Sequence, residues 1–299
     1  MKIETLADLQ KKYFQKIDHL DLDLIMAHIL KKSREFVLTH PEHKPTGAQI
    51  AKIDSFIARR ANHMPLAYIL GYKEFYGLSF KVTPNTLIPR PETELLVELA
   101  IQGTNIKEQT SNIIDVGTGS GNIIISIAKN HPEYSGLNYF AVDISNKALQ
   151  IAKQNAKAHN VSKKIKFIHG NLLEPIIGNW KLPACPVGRE IENSKMIILA
   201  NLPYLSKEIY SATLPNVKKY EPKSALYSAN AGLDHYERLL KQILALSVTS
   251  YELRVTILLE ISPEQKTKLT KLIKKYLPQA QIDFQKDLAK KWRVCKIEI

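Results

Sequence analysis

The sequence predicts an α/β protein: a mainly parallel, doubly wound sheet with an antiparallel last strand, preceded by a small helical domain. Three observations carry this. From residue 111 onward, apolar runs of strand length alternate with segments of helical period, the pattern of parallel strands joined by crossover helices. Residues 1–70 carry helical periodicity alone. The last two strand-like runs, "QIDFQKD" and "WRVCKIEI", follow one another with no helix between them and so form an antiparallel pair.

Taken in order, "LADLQKKYFQKI", "LDLIMAHILKKS" and "TGAQIAKIDSFIARRAN" each place apolar residues at helical spacing, separated by Asp, Pro and Gly. Residues 72–89, "YKEFYGLSFKVTPNTLIP", change to aromatics and alternation at Leu78, Phe80 and Val82, a β-hairpin. "RPETELLVELA" opens a helix with Pro91 at its start and acids in its first turn. Then come strand "NIIDVG", helix "GNIIISIAKN" stopped before Pro132, strand "LNYFAVDI" and helix "NKALQIAKQNAKAHN". Strands "KIKFIHGN" and "KMIILAN" follow, with a long surface loop expected over 178–195 between them. Helix "GLDHYERLLKQILALS", strand "RVTILLEI" and helix "PEQKTKLTKLIKKYL" precede the terminal pair. The expected organisation is a helical domain over 1–70, a hairpin linker over 71–90, and a ligand-binding α/β domain over 91–299.

The 299 residues suffice for two domains, and 44% hydrophobic with 24% charged residues is an ordinary globular balance. No apolar run approaches the length of a membrane span, and "MKIETLADLQKKYFQ" lacks the apolar core of a signal peptide. Cys185 and Cys295 form neither a metal-binding pattern nor a disulfide framework, so no metal is expected. These features together predict a cytoplasmic protein. The net charge of +13 permits an anionic partner. Lysine rather than arginine carries most of it, which argues against specific phosphate or base recognition.

The densest chemical signal is "IIDVGTGSGNIIISIA". A strand delivers Asp115, followed by Gly117, Thr118, Gly119, Ser120 and Gly121, and then a helix begins. Glycines let a ligand lie against the backbone where a helix N-terminus offers free N–H groups. The spacing is G-x-G-x-G preceded by an acid, neither the dinucleotide G-x-G-x-x-G nor a P-loop ending in Gly-Lys-Ser/Thr. An acid beside the loop suits a cationic ligand, and S-adenosylmethionine, with sulfonium and ammonium groups, is such a ligand. Asp143 ends the next strand, where a carboxylate can accept both ribose hydroxyls of a nucleoside. Asn171, after the third strand, is placed to accept from an adenine amino group through an uncharged carbonyl, or is a loop residue. Leu172 beside it is a candidate cover for a base face.

"MIILANLPYL" is a buried strand ending in Asn201, Leu202, Pro203 and Tyr204, at the carboxyl edge that holds the glycine loop. Methyl transfer needs an acceptor nitrogen held in line with the methyl group. The Asn201 side-chain carbonyl and the Leu202 backbone carbonyl can each accept one N–H of a planar amide or amine. Tyr204 offers a flat face to lie against, and Asn201 also stands near the cofactor.

"NLPY" is similar to the N-P-P-Y signature of methyltransferases that act on nitrogen attached to a planar system, whether glutamine or adenine. "RRANHMPLAYILGYKEFYGLSFKVTPNTLIPRPETELLVE", "YEPKSALYSANAGLDHYERLL" and "DLAKKWRVCKIEI" resemble the HemK/PrmC family, the peptide chain release factor N5-glutamine methyltransferases, over nearly the whole chain. The resemblance implies a class I S-adenosylmethionine-dependent methyltransferase fold with an N-terminal substrate-recognition domain. It further implies methyl transfer to the Gln of the release factor Gly-Gly-Gln motif, with S-adenosylhomocysteine as product. No direct nucleic-acid substrate is expected, and nothing in the sequence suggests more than a monomer. Gly117–Gly121 and Asp143 match the family's cofactor positions, and Asn201–Tyr204 its acceptor clamp. Arg90, with Glu92 and Glu94, matches the "IPRPETE" motif. Arg90 is taken as a substrate-binding candidate, with helix capping and an ion pair as the alternative reading. Two departures stand out: Leu202 replaces the usual first proline, and Asn171 the usual Asp. Pro203 still restricts Leu202 to extended conformations. Two other readings stay open: an adenine-N6 methyltransferase on RNA or DNA, and a silent S-adenosylmethionine-binding ribosome-associated factor.

Overall fold

The computed structural model describes residues 5–103, 111–130, 137–177, 195–249 and 254–299. The chain divides into two compact units. One comprises Met1–Tyr72 with Leu214–Tyr220, the other Lys73–Thr213 with Glu221–Ile299.

The first unit is helical. Thr5 and Thr46 each form a capping box at the start of helices Leu6–Tyr13 and Gly47–Ala61, and Asp18 caps His19–Leu30. These side chains satisfy amides that have no partner within the helix. Leu6, Leu9, Leu22, Ile25, Met26, Val37, Ile53 and Ile57 form its core. The short helix Pro215–Tyr220 is grouped with this unit, and the Tyr220 hydroxyl donates to the Asn62 carbonyl at 2.9 Å. No sequence pattern announced that excursion.

The second unit contains two sheets. Strands β1 (Tyr72–Phe75) and β2 (Leu78–Lys81) form the expected hairpin. The hairpin was expected as a separate linker, yet from Lys73 onward it groups with the second unit. Phe75 and Phe80 are buried in that unit's core, and Asn155 exchanges hydrogen bonds with both the amide and the carbonyl of Lys81 at 2.8 and 3.0 Å.

The main sheet has seven strands: β3 (Ser111–Val116), β4 (Leu137–Asp143), β5 (Ile165–His169), β6 (Lys195–Ala200), β7 (Arg254–Glu260), β8 (Gln281–Lys286) and β9 (Trp292–Glu298). Their order is β5-β4-β3-β6-β7-β9-β8. The strands from β5 to β7 pair in parallel, whereas β9 pairs antiparallel with both β7 and β8. Alternation along each strand sends side chains to opposite faces. On one face Ile114, Val142, Ile198 and Ile257 meet Tyr236, Leu239, Leu240 and Ile243 of helix Asp234–Thr249. On the other, Ile113, Ala141, Ile197 and Leu258 meet helices Glu94–Gly103 and Asn122–Asn130. The sheet is therefore doubly wound. From β3 the chain winds outward through β4 and β5, then returns to β6 on the other side of β3. That reversal opens a crevice beyond the carboxyl ends of β3 and β6. The 178–194 part of the expected long loop lies outside the described residues. Among the described residues, no helix is long and apolar enough to cross a membrane.

Candidate active site

A cavity of about 330 Å³ occupies that crevice, within the range of roughly 300–1,000 Å³ typical of small-ligand sites. Its floor is the turn after β3. Gly117, Gly119 and Gly121 have φ of 74°, 56° and 81°, the left-handed region that glycine adopts without steric cost. The amides of Gly117 and Thr118 donate to the Val142 carbonyl at 2.8 and 3.0 Å, locking the turn to β4. Asn155 also donates to the Ser120 carbonyl at 2.8 Å. Gly117, Thr118, Gly119 and Ser120 line the cavity.

Asp115 and Gly121 belong to the same motif but do not line the cavity. Asp115 is fully buried beneath the turn, where its Oδ2 accepts from the Thr118 hydroxyl at 2.6 Å. Burial pushes its pKa up to about 7, against the opposing hydrogen bonds from Thr118 and the Ile124 amide. A Cβ on Gly121 would stand 2.7 Å from Ile125 Cδ1 and 3.1 Å from Ala152 Cβ, so this glycine serves close helix packing.

Asp143 lines the cavity at the end of β4. One carboxylate oxygen accepts from the Gly119 amide at 2.8 Å, the other from the Ser145 amide at 2.7 Å. A carboxylate has about four acceptor sites, so two remain for vicinal hydroxyls. Burial raises its pKa, and the two amides oppose that rise. Asn171 lines the cavity too; its Nδ2 donates to Glu174 at 2.7 Å, and among the described residues its Oδ1 accepts no hydrogen bond. Leu172 holds φ of 53° and is buried at the cavity wall. A leucine in that region is strained and is held there by its surroundings.

Beside the glycine turn, at the end of β6, Asn201, Leu202 and Pro203 also line the cavity. Asn201 Nδ2 donates to the Thr93 hydroxyl at 3.1 Å. The Leu202 side chain is buried, with its Cδ2 3.1 Å from where a Cβ on Gly117 would lie. Among the described residues, the Leu202 carbonyl accepts no hydrogen bond. Tyr204 does not line the cavity; its ring packs against the core and its hydroxyl donates to Glu260 Oε1 at 3.3 Å. Burial, then the neighbouring Glu260 charge, raise the Tyr204 pKa. The Tyr204 carbonyl would lie 2.1 Å from a Cβ on Gly232, a close approach that only glycine permits. Gln265 Nε2 bridges the Tyr204 and Gly232 carbonyls at 3.2 and 2.9 Å.

Arg90 both lines the cavity and pairs with Glu221 at 2.5 Å, while the Ile88 amide donates to the other Glu221 oxygen at 3.4 Å. Glu94 accepts from the Tyr76 amide at 2.8 Å. Sequence reasoning missed Thr93, Glu221 and Glu260. Glu260 carried a legible signal, since it ends β7 as Asp143 ends β4. Thr93 and Glu221 fall within the quoted segments "IPRPETE" and "YEPKSALYSANAGLDHYERLL", but no spacing singles them out because their partners are distant in sequence. His235 and Arg238, near the start of helix Asp234–Thr249, are further lining residues with no motif of their own.

Comparison with known proteins adds to this geometry. Residues 5–71 match the family described as PrmC N-terminal domain, and residues 107–179 the family described as methyltransferase domain. A release factor glutamine methyltransferase of Dictyoglomus turgidum is 33% identical over 278 residues, covering 93% of this chain and 90% of that protein. One from Clostridium botulinum is 32% identical over 277 residues, covering 93% and 90%. One from Bacillus cereus is 29% identical over 279 residues, covering 93% and 91%. Among solved structures, the hMettl16 catalytic domain in complex with a MAT2A 3′UTR hairpin has a TM-score of 0.50 at 15% identity, covering 84% of this chain and 81% of that one. That likeness concerns the fold.

Proposed function

This chain belongs to the release factor glutamine methyltransferase family, and from that premise we propose how its residues act on a glutamine amide. S-adenosylmethionine supplies the reaction with a methyl group bound to an electrophilic sulfonium. The residues present fit such a group: a glycine turn open to the cavity, Asp143 with acceptor capacity left for ribose hydroxyls, and the Asn171 carbonyl for an adenine amine.

The acceptor is the side-chain amide of the Gln in the release factor Gly-Gly-Gln motif. Its nitrogen is a poor nucleophile because its lone pair is delocalised into the carbonyl. Asn201 Oδ1 accepts one of its N–H groups and the Leu202 carbonyl the other, which fixes the nitrogen's orientation. As the nitrogen takes the methyl group, positive charge develops on it and both oxygen dipoles stabilise it; one N–H proton is then lost to solvent, which restores a neutral amide. The Tyr204 ring stands behind the clamp and is anchored at its hydroxyl. The observation that carries this reading is that Asn201, Leu202 and Pro203 line one cavity with the glycine turn and Asp143. The helical unit is assigned the recognition of the release factor body, and the enzyme is placed in the cytoplasm as a monomer with no nucleic-acid substrate.

The test is transfer of labelled methyl from S-adenosylmethionine to a cognate release factor, to its Gly-Gly-Gln variant with Gln replaced, and to total RNA. Label on the wild-type factor alone is the expected outcome. Label on RNA and never on the factor overturns the reading.

A further inference from the structure

The backbone carbonyl that the clamp offers to the acceptor belongs to Leu202, and among the described residues it makes no hydrogen bond of its own. Its direction is therefore set by what holds the chain around it. The Leu202 side chain is buried. Pro203 fixes its own φ through its ring, which leaves few free torsions before Tyr204. Tyr204 is where the chain is fastened. Its carbonyl accepts from Gln265 Nε2 at 3.2 Å, and the same nitrogen donates to the Gly232 carbonyl at 2.9 Å. At the next residue, the Leu205 amide donates to the Leu226 carbonyl at 2.9 Å, and the Ser228 amide to the Leu205 carbonyl at 3.0 Å.

Gln265 ends the turn Pro263–Gln265, is 4% exposed, and has both ends of its carboxamide committed. Its Oε1 accepts from the Ser262 amide at 3.0 Å, the reciprocal bond of a capping box. Glu serves in a capping box as well as Gln, so capping accounts for the oxygen and not for the nitrogen. The nitrogen faces two carbonyls, which can only accept. A carboxamide is the group that accepts at one end and donates twice at the other. The segment it grips is strained: Asn230 and Ala231 hold φ of 52° and 54°, followed by Gly232 at 83°. Non-glycine residues persist in this region where their surroundings hold them there.

We propose that Gln265 is a positioning residue for methyl transfer: by tying the Tyr204 carbonyl to the Gly232 carbonyl, it sets the direction of the Leu202 carbonyl in the acceptor clamp. The inference rests on the glutamine-amide reading above. Two carbonyl oxygens brought to one point repel each other unless donors lie between them, and the Nε2 hydrogens supply one to each. The fit is close, since a Cβ on Gly232 would lie 2.1 Å from the Tyr204 oxygen and 2.7 Å from Nε2. Gly232 leads into helix Asp234–Thr249, whose His235 and Arg238 line the cavity. One side chain thus ties the clamp backbone to a second wall of the site. Gln265 does not itself line the cavity, so it acts through the backbone it holds.

The experiment compares wild type, Gln265→Met and Gln265→Glu for kcat and KM on a release factor, S-adenosylmethionine affinity, and the pH dependence of kcat. Turnover is counted per S-adenosylmethionine-binding site, so that unfolded protein does not enter. Gln265→Met keeps the length and removes both donors. It is expected to lower kcat by about ten- to a hundredfold, the scale on which small misplacements act, with KM and cofactor affinity unchanged. Gln265→Glu keeps the bond to Ser262 and sets a carboxyl group against the two carbonyls. Protonated, that group donates to one of them; ionised, it repels both. Burial raises the pKa of such a carboxyl to as much as roughly 8–9, so the deficit of Gln265→Glu widens from about pH 6 to pH 9, whereas that of Gln265→Met stays constant. Wild-type kcat in Gln265→Met, a loss confined to KM, a fall in cofactor affinity that matches the fall in kcat, or a Gln265→Glu deficit independent of pH overturns the proposal. Absence of transfer by the wild type itself would instead strike the glutamine-amide reading.

Discussion

The glycine turn and the acceptor clamp touch at one point, and that contact can be measured. A Cβ on Gly117 would lie 3.1 Å from Leu202 Cδ2, and Gly117 holds φ of 74°. Gly117→Ala therefore carries two separable costs. An L residue in this region is strained by about 1–2 kcal/mol whatever surrounds it. The new methyl group must also displace the Leu202 side chain by a few tenths of an ångström. Leu202→Ala alone removes a buried side chain, a loss of about 2–5 kcal/mol for a well-packed leucine. In the double variant the strain persists but the collision is gone, so its destabilisation should fall short of the sum of the singles. Residues in contact couple by about 0.5–3 kcal/mol, whereas independent sites add to within about 0.3–0.5 kcal/mol. Urea denaturation of all four proteins gives the coupling, and kcat on a release factor shows whether the displaced Leu202 moves the carbonyl offered to the acceptor. Additive stabilities would refute the contact.

Further outcomes follow from the same geometry. Asn201→Ala removes one oxygen dipole from the developing charge and should lower kcat about 10²–10³-fold, while isothermal titration with S-adenosylmethionine shows binding largely kept; undiminished turnover would refute the clamp. Leu202→Pro retains the carbonyl and should leave kcat within about tenfold, roughly 1.4 kcal/mol; a much larger rise would mean that the natural leucine impairs the enzyme. Asp115 keeps its proton to about 7 in the folded protein against an ordinary 3.8. Between those values the folded state binds more protons than the unfolded, so this group's contribution to stability declines as pH rises and is level above about 7. Asp115→Asn lacks that term, and denaturation midpoints should show wild type losing ground to the variant from about pH 4 to 7; parallel curves would refute it.

What the sequence revealed of this site depended on chain distance. The doubly wound sheet followed from period alone, because buried parallel strands need continuous apolar runs and crossover helices need a 3.6-residue repeat. Asp143 was legible from its place at a strand end. Spacing within "DVGTGSG" announced a turn but not which side chains face outward. Asp115 lies under the turn and Gly121 against Ile125, and only packing decides that. Tyr204 was read as a flat face, and its hydroxyl commitment to Glu260 spans 56 residues; the Asn201–Thr93 bond spans 108. No local pattern encodes such partners.

Leu202 marks where the two kinds of information meet. Its sequence position, in place of a proline, raised the question of whether the clamp survives. The structure separates its two parts: the side chain fills the space above Gly117, where glycine leaves room, and the carbonyl has no hydrogen bond among the described residues. A proline ring at this position would fix the backbone by covalent restriction, whereas leucine fixes it by burial against the glycine turn. Preorganisation of the acceptor carbonyl is thereby coupled to the turn assigned to the methyl donor, so movement of the turn is transmitted to the clamp through one packed side chain.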